Sequence, residues 1–210
     1  MGPSLPSWRR GFDSHQVLFN LMKTKNSREF STNLEVISSK TGNWEAYHKG
    51  WERIFGKKVK NVYLAGAIEY APDKGQQWRA ELTPFLVEHG YNVIDPSITE
   101  ATLRSDYRDL KVTDIDTYRQ ITQDEIIWPD LKRIDSCKDT DGFLIVHWDE
   151  YVRIGGGTHG EITYSFAKGI PIYLVESLPR EQISGWILGC TTKVFNNFEE
   201  LKSFIESWTK

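Results

Sequence analysis

Residues 142–175 read GFLIVHWDEYVRIGGGTHGEITYSFAKGIPIYLV. Two short apolar runs, GFLIVHW and GIPIYLV, enclose a glycine-rich loop and a segment of helical character that stops at Gly169. Nearly continuous apolar strands are how strands buried on both faces read. Two of them joined by a helix form a right-handed crossover with parallel strands. That unit sets the class of the chain as α/β, with a sheet covered on both sides.

The same alternation extends outward. KNVYLAGAI (60–68) is a strand running into a glycine turn, and GQQWRAELTPFLVEHG (75–90) is a helix ended by Gly90. YNVID (91–95) is a strand stopped by Pro96. Residues 100–126, rich in Asp, Arg and Thr, read as a long loop with helical pieces, a length that is usually functional. PDLKRIDSC (129–137) is a short helix, KVFNN (193–197) a short fifth strand and FEELKSFIESW (198–208) the last helix. The expected fold is a doubly wound, five-stranded parallel sheet, flavodoxin-like or Rossmann-like, with ligands at the carboxyl ends of the strands. Ala65 to Glu69, Asp95, Trp148 to Glu150 and the Gly155 loop are therefore the positions to watch.

Upstream the pattern changes. Residues 1–42 are polar and aperiodic and read as a poorly structured extension. Within it, GFDS (11–14) is what a transfer-RNA T-arm encodes when translated, so one reading makes the first twenty residues read-through and Met22 the natural start. Trp44, Tyr47, Trp51, Ile54 and Phe55 share one face of a helix over 43–58, read as a docking helix. The α/β domain then occupies 59–210.

Bulk properties exclude several classes. A net charge of -3 argues against a nucleic-acid binder, which would carry a basic excess. No run of about 18 apolar residues exists, so no membrane partner is expected. Two cysteines, Cys137 and Cys190, are too few for a disulfide scaffold and read as reduced, packed thiols of a cytoplasmic protein. No His, Cys and Asp cluster has metal spacing, so neither metal nor cofactor is expected.

The loop GGGTHGE (155–161) has two readings. Thr158 and Glu161 fit a capping box, in which each side chain satisfies the other's amide. Three glycines before a helix also let a ligand approach the backbone at an end that favours negative charge. The Walker loop is excluded because no Lys-Ser or Lys-Thr follows, and the GxGxxG spacing is absent.

Taken in order, VYLAGAI, WRAELTPFLVEHGYNVIDP, DLKRIDSC, DGFLIVHWD, GGGTHGEITYSFAKGIPIYLV and GW with VFNNFEELKSF resemble the nucleoside 2-deoxyribosyltransferase family over about residues 59–208. The resemblance implies a flavodoxin-like fold. It also implies metal-free transfer of deoxyribose from a 2'-deoxynucleoside to a free nucleobase, in homo-oligomers whose sites borrow C-terminal residues. Glu161 matches the family's nucleophile, and Asp130 an aspartate that binds and protonates the substrate. Tyr63 matches a first-strand tyrosine that holds the nucleophile. Gly155 stands where the family carries an aspartate, and Asp149 is the candidate to replace it.

Such chemistry passes through an oxocarbenium-like state, which a carboxylate can trap while an acid protonates the leaving base. Glu161, near a helix N-terminus, suits the nucleophile; the acid is Asp130 or Asp149. The expected substrate wall is Ala65, Gly66, Ala67, Asp95, Trp148, Gly155, Gly156, Gly157 and Thr158, with Asn196 reaching a neighbouring subunit. Glu69 would repel a 5'-phosphate, which favours a nucleoside; Arg79, Lys74 and Arg153 read first as surface groups, with contact to a phosphate as the alternative. A hydrolase, including a phosphoribohydrolase-like one, and a non-catalytic nucleotide sensor are the alternatives.

Overall fold

The strands β1 (Lys60–Ala65), β2 (Tyr91–Ile94), β3 (Phe143–Trp148), β4 (Ile172–Glu176) and β5 (Lys193–Phe195) lie in the order β2-β1-β3-β4-β5, every pair parallel. This is the flavodoxin-like order expected from the strand pattern. The protein's computed structural model describes residues 59–98 and 107–208, all within the unit Lys58–Lys210. The expected extension over 1–42, the Met22 start and the docking helix over 43–58 fall outside the described residues.

Register puts apolar side chains opposite one another through the sheet. Val62 lies between Val93 and Phe143, and Val146 between Ala65 and Leu174. Helices cover both faces. On one, α1 (Gln76–Glu88) and α7 (Phe198–Glu206) bury Leu82, Leu86, Leu201 and Ile205 against Val62, Leu64, Ile145 and Val175. On the other, α4 (Trp128–Asp139), α5 (Gly157–Lys168) and α6 (Gly185–Cys190) bury Ile134, Ile162 and Ile187 against Tyr63, Leu144, Val146 and Leu174. Full burial of one such side chain stabilises by about 1.5–3 kcal/mol. Cys137 and Cys190 belong to this second core, unbridged, and burial pushes the Cys137 thiol up to about 12.

The part of the 100–126 stretch that is described is more regular than expected. After α2 (Leu110–Thr113), α3 (Ile115–Thr122) passes into a π-helical turn at Gln123–Ile127 and then directly into α4. The junction residues Thr122 and Ile127 keep right-handed helical dihedrals, so the backbone does not break. Pro129 has no N–H to give to the carbonyl four residues earlier. The wider turn lies immediately upstream of it, where Trp128 donates to the Gln123 carbonyl.

Arg79 corrects the surface role read for it. It is 0% exposed. Its guanidinium donates to the carbonyls of Leu64, Gly66 and Gly75, lies 4.5 Å from the Trp78 ring and pairs with Asp95 at 3.4 Å. Leu64 is on β1 and Gly66 just past its end, so Arg79 ties the carboxyl end of β1 to α1. Gly75 makes this possible. Its φ is +70°, and a Cβ there would lie 2.2 Å from the Ala67 carbonyl oxygen. Asp73 caps the helix start, accepting from Gly75 and Gln77 N–H, and those bonds hold its carboxyl below the usual range.

Candidate active site

Strand order reverses between β1 and β3, and a crevice opens there beyond the carboxyl ends. It holds a cavity of about 390 Å³. Three walls line it: the segment Gly66 to Tyr70 after β1, the segment after β3 with the start of α5, and the inner side of α2 to α4. Ligand pockets typically enclose roughly 300–1,000 Å³.

The glycine loop does not behave as a helix cap. α5 begins at Gly157, with Gly156 as its N-cap, so Thr158 sits inside the first turn, Glu161 lies just beyond it, and the capping-box reading fails. Nor does packing require the glycines. None of Gly155, Gly156 or Gly157 has a positive φ. A Cβ added at Gly156 or Gly157 meets nothing within 4 Å, and one at Gly155 touches only the Tyr70 ring at ordinary distance. All three line the cavity, together with Thr158, Gly160 and Glu161. The small side chains therefore leave space on the cavity side, not inside the protein.

Glu161 is aimed by the sheet. Its Oε1 accepts a hydrogen bond of 2.7 Å from the phenol of Tyr63, a β1 residue that is itself fully buried. Asp130, near the start of α4, lines the same cavity and is 4% exposed, with Oδ1 receiving Arg133 Nη1 at 2.7 Å. Glu161 and Asp130 thus face one cavity, each held by a hydrogen-bond donor from its own element or from β1, and Glu69 lines it as a third acidic group.

Several expected residues lie elsewhere. Asp149 does not line the cavity: its Oδ1 accepts from the N–H groups of Tyr151 and Val152, closing the turn after β3. It therefore does not stand in for the aspartate missing at Gly155. Asp95 is engaged by Arg79 and by the Ser97 N–H. Ala65 is fully buried, and Trp148, 1% exposed, packs its ring against His159 in the core. Asn196, expected to reach a neighbouring subunit and not this chain's own site, lies after β5 and is bonded to Glu200. Gly66, Ala67, Asp130, Gly155, Gly156, Gly157, Thr158 and Glu161 are brought together, with Tyr63 behind them.

Other lining residues escaped the sequence reading. Tyr70 and Tyr151 bring aromatic rings, and Ile126, Ile127, Leu131 and Val152 an apolar surface. Tyr118, Thr122, Ile126 and Asp130 follow one another at intervals of four, and all four line the cavity. That spacing was the available signal, hidden by taking 100–126 as a loop. Lys111 of α2 also lines the cavity and pairs with Glu69 at 3.3 Å. The hydrogen bond from Lys111 to Glu69 holds the ammonium above its usual range.

His147 stays outside this site. It lies between Trp78 and Phe198, with Nε2 2.8 Å from the Ser177 hydroxyl, and burial lowers its pKa. Among the described residues no group of three or more His, Cys, Asp or Glu could hold a metal ion, and no helix is long and apolar enough to cross a membrane.

No family model matches this chain, and no curated protein does. Among solved structures, the CMP N-glycosidase BcmB of Clostridium botulinum is similar over 70% of this chain and 98% of its own, at 21% identity and a TM-score of 0.40.

Proposed function

We propose that the chain cleaves the N-glycosidic bond of a 2'-deoxynucleoside and passes the sugar to another nucleobase. One observation carries the reading: buried Tyr63 donates 2.7 Å to Glu161 in the wall of a cavity that also holds buried Asp130. Displacement at the anomeric carbon needs a carboxylate of fixed orientation. A phenol that donates to one carboxylate oxygen fixes the side chain and favours the anion.

In the first half-reaction the Glu161 carboxylate attacks C1' and forms a glycosyl ester. The C1'–N bond breaks, its electron pair stays on the base nitrogen, and the base takes a proton from Asp130. In the second half a nitrogen of the incoming base attacks C1', the ester bond breaks and Glu161 is released as the carboxylate. The incoming base returns its proton to Asp130. Tyr70, Tyr151, Ile126 and Ile127 supply flat and apolar surface suited to a nucleobase. The glycines leave room for the sugar against the loop. The ordered motifs from VYLAGAI to VFNNFEELKSF support the deoxy sugar and the transfer step.

The test incubates the protein with one deoxynucleoside, with and without a second free base, and separates the products by chromatography. A new deoxynucleoside is expected. Free base with free deoxyribose would make water the acceptor. Glu161→Gln is expected to release no base; retained turnover would end the covalent mechanism. Binding without any base release by the unaltered protein would favour a sensor.

A further inference from the structure

The cavity carries an ion pair that the proposed chemistry does not use. Glu69 follows β1, Lys111 belongs to α2, and both line the cavity. Their charged atoms are 3.3 Å apart, and Lys111 Nζ lies 5.8 Å from the Tyr118 ring. Among the described lining residues the ionisable groups are Glu69, Asp130 and Glu161 against Lys111, so even with Asp130 holding the proton it donates, two carboxylates outnumber the one ammonium. Arg133 engages Asp130 but does not itself line the cavity.

This distribution treats neutral and anionic ligands differently. A 5'-hydroxyl brings no charge and can donate to a carboxylate. A phosphate dianion finds Lys111 already bound to Glu69. It must displace that carboxylate and then sit beside it, and like charges at such range repel. The pair is partly exposed, at 46% for the Lys111 side chain and 27% for that of Glu69. Such pairs are weakly held, so removal of the Glu69 charge releases Lys111 without dismantling the wall.

We propose that the Glu69–Lys111 pair sets the charge of the substrate. It admits a nucleoside with a free 5'-hydroxyl, excludes the 5'-monophosphate, and holds in Lys111 a latent phosphate contact that neutralising Glu69 uncovers. This rests on the cavity being the nucleoside site.

The experiment reads binding, so that it does not depend on turnover. Calorimetry on the Glu161→Gln protein compares the four common 2'-deoxynucleosides with their 5'-monophosphates. At least one nucleoside is expected to bind tenfold or more tighter than its monophosphate. Adding Glu69→Gln is expected to tighten that monophosphate at least tenfold relative to its nucleoside. Adding Lys111→Met as well cancels the gain, and raising ionic strength shrinks it. Thermal unfolding of each variant identifies any that fails to fold; Glu69→Ala and Lys111→Gln then replace it. A monophosphate that binds tighter from the outset overturns the proposal. So does Glu69→Gln without a gain, or a gain that survives loss of Lys111. Absence of binding by every nucleoside and monophosphate overturns the nucleoside-site reading and the proposal with it, whereas equal binding overturns the proposal alone.

Discussion

Tyr63→Phe removes one oxygen from a fully buried ring and with it the 2.7 Å donor to Glu161. The ring itself keeps its place among Ala65, Leu144 and Val146, so the core loses no volume. A hydrogen bond to a charged group contributes about 1.5–3 kcal/mol. Lost wholly from the transition state, that amounts to about a 10- to 150-fold fall in kcat/KM. The fall is expected in kcat, with KM changed little, because the phenol touches Glu161, the proposed nucleophile, and not the substrate. Steady-state base release measures both constants, and intact-mass analysis of a single turnover reports how fast the glycosyl-enzyme appears. The melting temperature is expected to fall by no more than about 12 °C, at roughly 2–4 °C per kcal/mol for a domain of this size. A kcat within twofold of the unaltered protein would refute the assignment. So would a rise in KM at constant kcat, which would make Tyr63 a wall of the cavity and not the holder of Glu161.

Three further outcomes follow from other parts of the fold. Arg79→Met leaves Asp95 and the Leu64, Gly66 and Gly75 carbonyls without a buried cation. It is expected to cost about 3–5 kcal/mol, and a loss under about 1 kcal/mol in denaturant unfolding would contradict that role. Gly157→Ala opens a helix at a site where a Cβ meets nothing. It is expected to raise stability by up to about 1 kcal/mol while raising KM, because the space it fills is the ligand's; unchanged KM would return the glycines to mere chain history. His147 is half-buried and desolvation lowers its pKa, so the unfolded chain binds its proton first as pH falls. Its contribution is complete above about pH 6.5 and declines as pH drops from there toward its folded value; His147→Gln is expected to flatten that part of the stability curve, and an unchanged curve would discount it.

The strand pattern carried the architecture because two-faced burial writes itself as continuous apolar runs. GFLIVHW and GIPIYLV could hardly be anything but central strands, and they became β3 and β4. Sites are harder to read, because a side chain's type does not say where its atoms are spent. At strand ends Asp149 looks like a catalytic carboxylate and Asp95 like a substrate contact, yet one closes a turn and the other pairs with Arg79. Arg79 looks like a surface cation, yet a glycine at 75 and three carbonyls make it a buried one. Trp148 lies on a strand whose alternation sends it into the core. Tyr70, Lys111 and Tyr118 reached the cavity from segments whose polar composition reads as loop, so composition hid them.

The π turn at Gln123–Ile127 sets the phase of everything after it. In an ordinary α-helix each residue turns about 100°, so a row taken every fourth residue creeps about 40° per step and would drift about 120° from Tyr118 to Asp130. The wider turn takes back most of that drift, which is how Tyr118, Thr122, Ile126 and Asp130 come to line one wall. Asp130 therefore reaches the cavity by residue count as much as by residue type. Substituting any one of Gln123, Asp124 or Glu125, all exposed, leaves that count intact. Restoring α hydrogen bonding over that turn at unchanged length would swing the carboxylate about a quarter turn out of the cavity, whereas deleting one of the three removes the extra residue with the extra angle and keeps Asp130 in phase.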